Sequence, residues 1–270
     1  MDSSSSAETD RASAAQGLRF AFGTLTVLPV GVERWDRPAA RVGMVCAPAV
    51  GLVVGLVAAA VGAVLLVCGA SALLAAVAAV AVPAVLTRGL HLDGLADVAD
   101  GLGSGKPAEE ALRVMKQSDI GPFGVITLVF VLLGQVAALA ALYGQGWAIG
   151  TAGAVASAVA ARGALTLASR EGVPAARPDG LGAAVAGTVP RGAALGVAGL
   201  CVALAVGLGA ACPGPMGRIA GFAVATVLGL GAAEALLRRC TARFGGVTGD
   251  VFGAVAEAAG CCTLVVAAVL

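Results

Sequence analysis

Between Arg88 and Gly105 the chain reads RGLHLDGLADVADGLGSG. Asp93, Asp97 and Asp100 stand at i, i+4 and i+7, so on a helix they stack three carboxylates along one face within two turns. Like charges placed this way repel, and a divalent cation relieves the repulsion. Oxygen ligands without cysteine or further histidine suit a hard ion, magnesium or manganese, better than zinc. A plain solvated helix face has the same spacing, but the neighbours favour a site. Gly94 and Gly101 directly follow Asp93 and Asp100, which permits close approach by a bulky anion, and Arg88, Lys106 and Lys116 lie nearby to meet phosphate. Because magnesium takes one or two carboxylates plus substrate phosphates, the expectation is a Mg2+-phosphate site on Asp93, Asp97 and Asp100, facing a nucleotide.

A second polar cluster, RFGGVTGDVFGAVAE, runs from Arg243 to Glu257. Gly245, Gly246 and Gly249 make a loop able to expose backbone N–H groups to phosphate, and Thr248 and Asp250 offer oxygens. Glu257 follows Asp250 by seven residues at what should be the start of the last helix. A glycine-rich loop before a helix is as often a plain turn. If the two clusters form one site, Asp250 faces the three aspartates. A hydroxyl proton can be accepted by Asp250 or by the single histidine, His91, which can equally hydrogen-bond a neighbouring loop. Arg162, inside an apolar run, either pairs with an acid, reaches the nucleotide or snorkels to the surface. Glu234 and Arg238, four apart, read as a local ion pair.

The elements that position these residues are membrane helices. The chain is 59% hydrophobic and 12% charged, with mean hydropathy +0.96, and its apolar residues come in blocks. Runs of Ala, Val, Leu and Gly without strand-like alternation exclude a β-barrel, so the fold class is all-α, a polytopic transmembrane helix bundle. About seven spans are expected, at 44–66, 70–87, 122–143, 147–168, 192–212, 219–237 and 254–270. The 40 glycines occur in nearly every span, which points to packing within the bundle more than to a dimer face. All 17 lysines and arginines except Arg162 and Arg218 fall on one side of these spans, so the N-terminus and the aspartate segment are expected in the cytoplasm. Residues 1–17 read as a disordered polar tail ahead of a single catalytic domain, 18–270. LRFAFGTLTVLPVG is too short to span and fits an interfacial or re-entrant segment ending at Pro29. The seven cysteines include no C-x-x-C pair and read as small apolar residues.

RGLHLDGLADVADGLG, then MKQSDIGPFGVITLV, then GGVTGDVFGAVAE, with FAFGTLTVLPVG near the N-terminus, resembles the cobalamin synthase family, the adenosylcobinamide-GDP ribazoletransferases. The resemblance implies a membrane transferase that joins adenosylcobinamide-GDP to α-ribazole or its 5′-phosphate and releases GMP, with Mg2+ as cofactor. It implies a location in the cell membrane, with those two substrates and the lipid bilayer as partners, no nucleic acid, and the oligomeric state left open. Gln117 and Asp119 stand where the family often has an acid and a base, so no phosphate-binding role carries over to Asp119; Gly23 replaces a usual leucine. A lipid-type alcohol phosphotransferase shares the D-x-x-D-G core of DVADG, but that pattern continues to Ala-Arg where this chain has Ser104 and Gly105, and Ala254 stands in place of its later aspartate. A transporter is disfavoured because the aspartates fall outside the spans.

Overall fold

The structure is a computed structural model that describes residues 12–270. Helix α1 (Ala14–Leu25) begins with a capping box: the Ser13 hydroxyl accepts from the Gln16 N–H, and the Gln16 side chain accepts from the Ser13 N–H. The tail expected over residues 1–17 therefore lies outside the described residues as far as residue 11, and from Ala14 onward it is helical. The run expected to be interfacial is helical only to Leu25 and then extends without regular structure as far as Asp36. Asp36 N-caps α2 (Arg37–Val67), accepting from the Ala39 N–H at 2.9 Å.

Helix α3 (Ala72–Leu86) follows, and α4 (Leu90–Gly103) leaves it at 88°. Next come α5 (Ala108–Val114), α6 (Pro122–Gln145), α7 (Trp147–Ala168) and α8 (Gly180–Val185), then α9 (Arg191–Ala211), α10 (Gly217–Phe244) and α11 (Gly249–Val269). Six of these, α2, α6, α7, α9, α10 and α11, are long and apolar enough to cross a membrane. The span expected at 70–87 is a correction: α3 has only 15 residues, and the count reaches seven only if the bent pair α3 and α4 is taken as one. The break falls at Arg88 and Gly89, both in the left-handed backbone region at φ 53° and 71°. Glycine adopts that conformation freely, while Arg88 holds it at a cost.

Helix α7 is the hub, packed against α2, α6, α9, α10 and α11. Its neighbours come close because small residues line the contact: a side chain at Gly51 of α2 would meet the Ala158 carbonyl at 2.5 Å, and one at Gly55 the Val155 Cα at 2.9 Å. The outer helices turn Leu56, Phe130, Leu133, Leu195, Leu200 and Val227 outward, as a bundle solvated by lipid does. The Glu234–Arg238 pair forms at 2.7 Å, and Glu234 also accepts from Arg170 at 2.9 Å.

Candidate active site

Helix α4 carries the aspartates on an amphipathic surface outside the apolar spans. His91, Leu95 and Val98 turn into the protein, whereas Asp93 is exposed and Asp97 half-buried. Its buried side crosses the start of α11 backbone to backbone. A side chain at Gly94 would come within 2.6 Å of the Asp250 carbonyl oxygen and 2.9 Å of its Cα, and one at Gly253 within 2.9 Å of the His91 carbonyl oxygen. Glycine at both positions is what permits the crossing. It sets Asp250 beside Asp93 and Asp97, so the structure joins the two polar clusters at one place.

The carboxylates share a charged environment. Burial, followed by the charges of Asp250, Asp93 and Asp100, pushes the Asp97 carboxyl up to about 7, and Arg177 opposes this. Arg177 and Lys116 also act on the charge of Asp250. Arg177 reaches the site from the segment between α7 and α8, with its guanidinium donating to the Leu112 carbonyl.

Asp100 behaves differently from the other two. It is buried, and its oxygens accept from the N–H of Gly121 at 2.8 Å and of Gly124 at 3.0 Å, at the head of α6. The third carboxylate of the expected face is thus bound to the positive end of α6 and ties α4 to α6, while it also lines a groove beside Asp97. The third carboxylate beside Asp93 and Asp97 is Asp250.

Two open grooves follow one another along the aspartate face of α4. The larger, about 650 Å³, is lined by Arg88, Asp93, Ala96, Asp97, Gln117 and Asp119 among others. The second, about 210 Å³, holds Asp97, Asp100, Ser104, Lys106, Gln117 and Asp119. Arg88 and Lys106 thus reach the grooves as expected. Gln117, Asp119 and Ser104 line them without having been picked out as site residues, and Arg177 was read only as a basic residue marking topology. Its lone position after a span carries no sequence signal of its tertiary partners.

Four expected site residues lie elsewhere. His91 is 3% exposed in a small apolar cavity with Leu25, Met44, Leu165 and Phe252; burial, then the Arg162 guanidinium, holds its imidazole well below its ordinary value. Gly246 is wedged against residues 174–176, away from the aspartates, and the adjacent Val247 exchanges backbone hydrogen bonds with Pro174 and Ala176 at 2.9 Å each. Arg162 does not snorkel. It is 2% exposed, in the bundle interior, and Glu257 shares a cavity with it. Thr248 stays at the site as a support: it N-caps α11 and donates its hydroxyl to Asp250 at 3.1 Å.

Comparison with known proteins identifies the family. The family model described as cobalamin-5-phosphate synthase matches residues 17–268. A protein of Frankia casuarinae named adenosylcobinamide-GDP ribazoletransferase is 45% identical over 261 residues, covering 93% of each chain. Proteins of the same name from Nocardioides sp. and Pseudomonas aeruginosa are 40% and 37% identical, covering 91% and 93% of this chain and 95% and 97% of theirs. No solved structure matches. A family match across both polar clusters and the spans that carry them leaves one conclusion: the chain belongs to the cobalamin-5-phosphate synthase family.

Proposed function

We propose that the chain is an adenosylcobinamide-GDP ribazoletransferase, joining adenosylcobinamide-GDP to α-ribazole or its 5′-phosphate with release of GMP. The observation that carries the reading is the convergence of Asp93, Asp97 and Asp250 from two helices touching at Gly94, with Asp93 and Asp97 lining a groove that also holds Arg88. A ribose hydroxyl oxygen attacks the phosphorus next to the cobinamide, the bond from that phosphorus to the GMP oxygen breaks, and GMP leaves. Asp250, oriented by the Thr248 hydroxyl, accepts the proton of the attacking hydroxyl. Arg88 and Lys106 hold phosphate oxygens toward the two ends of α4. Asp100 fixes α4 against α6 and so keeps Asp97 in place.

Magnesium fits this chemistry. A half-buried carboxyl raised to about 7 by burial and then by neighbouring carboxylates is a place where added positive charge is favourable, and Asp93 and Asp97 are the residues that would hold the ion. Among the described residues no three potential ligands stand at metal spacing, so the remaining coordination of such an ion would come from substrate phosphates. Its contribution when bound is to neutralise charge on the pyrophosphate. The basic residues that flank α4, Arg88, Lys106, Arg113 and Lys116, favour the cytoplasmic face of the cell membrane for the groove.

The test is GMP release by purified protein in detergent, given adenosylcobinamide-GDP, α-ribazole and magnesium. Turnover should depend on the metal and fall at least about a hundredfold in Asp250→Ala, the range for loss of a positioned base. Absence of GMP from the wild type would reject the function, and full activity in Asp250→Ala would reject the role of that residue.

A further inference from the structure

A second cavity lies in the bundle interior, between α3, α4, α6, α7 and α11, with a volume of about 50 Å³. Most of its wall is apolar, including Pro83, Leu92 and Leu132, but Gln135, Arg162 and Glu257 also face it. Gln135 donates to Glu257 at 2.8 Å. The Nε and Nη2 atoms of Arg162 are buried without a hydrogen-bond partner, and among the described residues no carboxylate lies within ion-pair distance of it. Orphaned donors on a buried guanidinium are expensive, so the cavity is built to receive an acceptor.

The cavity continues the larger groove. Leu92 lines the cavity and Ala96, one turn on along α4, lines the groove; on α6 Leu132 and Leu128 are related in the same way. Groove and cavity are thus consecutive stretches of one seam between α4 and α6. Glu257 lies seven residues along α11 from Asp250, a rise of about 10 Å and about the length of a nucleoside. Charge selects among ligands: an anion in the cavity meets the Glu257 carboxylate and a cation meets Arg162, so the occupant that suits both is an uncharged group with a hydrogen-bond acceptor.

We propose that this cavity receives the base of the nucleoside acceptor, with the ring edge that carries its free nitrogen directed at Arg162 and its apolar faces held in the Leu92–Leu128–Leu132 seam. The assignment rests on the proposed function and names the subsite that function leaves open. The base of α-ribazole is a benzimidazole, a flat bicycle that is apolar except for one free ring nitrogen. At 50 Å³ the cavity takes the edge of such a ring, and the remainder occupies the seam leading to Asp97 and Asp250. Arg162 is a positioning residue here: it fixes the base so that the ribose hydroxyl arrives at Asp250.

The test pairs Arg162→Met, which removes the donors, with Ala84→Phe, which fills the cavity from a partly buried wall position and leaves every charged group in place. Both should raise KM for α-ribazole at least about tenfold while KM for adenosylcobinamide-GDP stays within about twofold. Free benzimidazole should inhibit the wild type competitively against α-ribazole, and both variants should lose that inhibition. An unchanged KM for α-ribazole in Ala84→Phe, or competition of benzimidazole with the nucleotide substrate, overturns the proposal. Equilibrium dialysis of labelled benzimidazole against the detergent-solubilised protein needs no turnover and separates the two readings. Binding lost in Ala84→Phe supports the cavity even if the wild type releases no GMP, and absence of binding by the wild type overturns it.

Discussion

Asp97→Asn should stabilise the cation-free protein while removing its turnover. The folded chain holds the Asp97 carboxyl at about 7 against an ordinary 3.8, so folding favours the protonated form, and asparagine mimics that form at every pH. Three pKa units correspond to about 4 kcal/mol for a fully buried group; Asp97 is half-buried, and screening reduces this to about 1–2 kcal/mol. The pH dependence has a definite sign. Where both folded and unfolded chains carry the proton, well below pH 3.8, wild type and variant should be equally stable. The wild type loses stability as pH rises from about 3.8 to about 7, and above that the advantage of asparagine is complete. The assay is thermal unfolding in detergent with chelator present, at fixed scan rate from pH 5 to pH 8. The variant should melt about 2–8 °C higher at pH 8, with the gap closing toward pH 5. A midpoint at or below the wild-type value at pH 8, or a gain that does not vary with pH, would show that burial and its neighbours do not hold the Asp97 carboxyl up.

Asp100→Ala removes the acceptor of two N–H groups at the head of α6, each bond to a charged group being worth about 1.5–3 kcal/mol. It should lower the thermal midpoint by several degrees and turnover with it, and a stable, active variant would show the tie to be dispensable. Gly94→Ala places a methyl 2.6 Å from the Asp250 carbonyl oxygen and should part α4 from α11, cutting turnover at least about tenfold; wild-type activity would mean the crossing tolerates widening. Single cysteines placed in a cysteine-free background should be labelled from the cytoplasm at position 106 and only from outside at positions 145 and 214. Periplasmic labelling at 106 would invert the topology.

The spans were legible because apolar runs carry their own signal, and α2, α6, α7 and α9 begin and end within a few residues of expectation except at the N-terminus of α2. The second span was placed within two residues at each end, but at 15 residues it is too short to cross alone. The apolar run continues to Val85 and Leu86, but Arg88 and Gly89 take left-handed conformations that turn the chain through 88°. In the site, the i, i+4, i+7 spacing placed Asp93, Asp97 and Asp100 on one helix, and it could not show that the head of α6, more than 20 residues on, covers Asp100. Glycine misled in one place and informed in another. Gly246 looked like a phosphate cradle and is a packing contact, while Gly94 and Gly253 bring the two clusters together, and a bare sequence does not distinguish the two uses. Glu257 and Arg162 were noticed singly, and only the crossing of α7 and α11 puts them in one cavity.

The central position of α7 has a consequence for how the protein is made. Its mean hydropathy is 1.3, against 2.8 for α2 and 2.5 for α6, and it carries the buried Arg162. An arginine at the helix centre costs about 2.5–3.5 kcal/mol on entering the bilayer from the translocon; Arg162, six residues from the end of α7, costs less, but the small side chains of α7 do little to offset it. Only Gly146 separates α6 from α7, so the two leave the ribosome as a hairpin, and the strongly apolar α6 carries its weaker neighbour in. α7 reaches its final surroundings only after α9, α10 and α11 have been synthesised, and until then Arg162 faces lipid or a chaperone. Truncation after α7 should therefore give a chain that inserts poorly and is degraded quickly, and the order of synthesis becomes part of what makes this bundle stable.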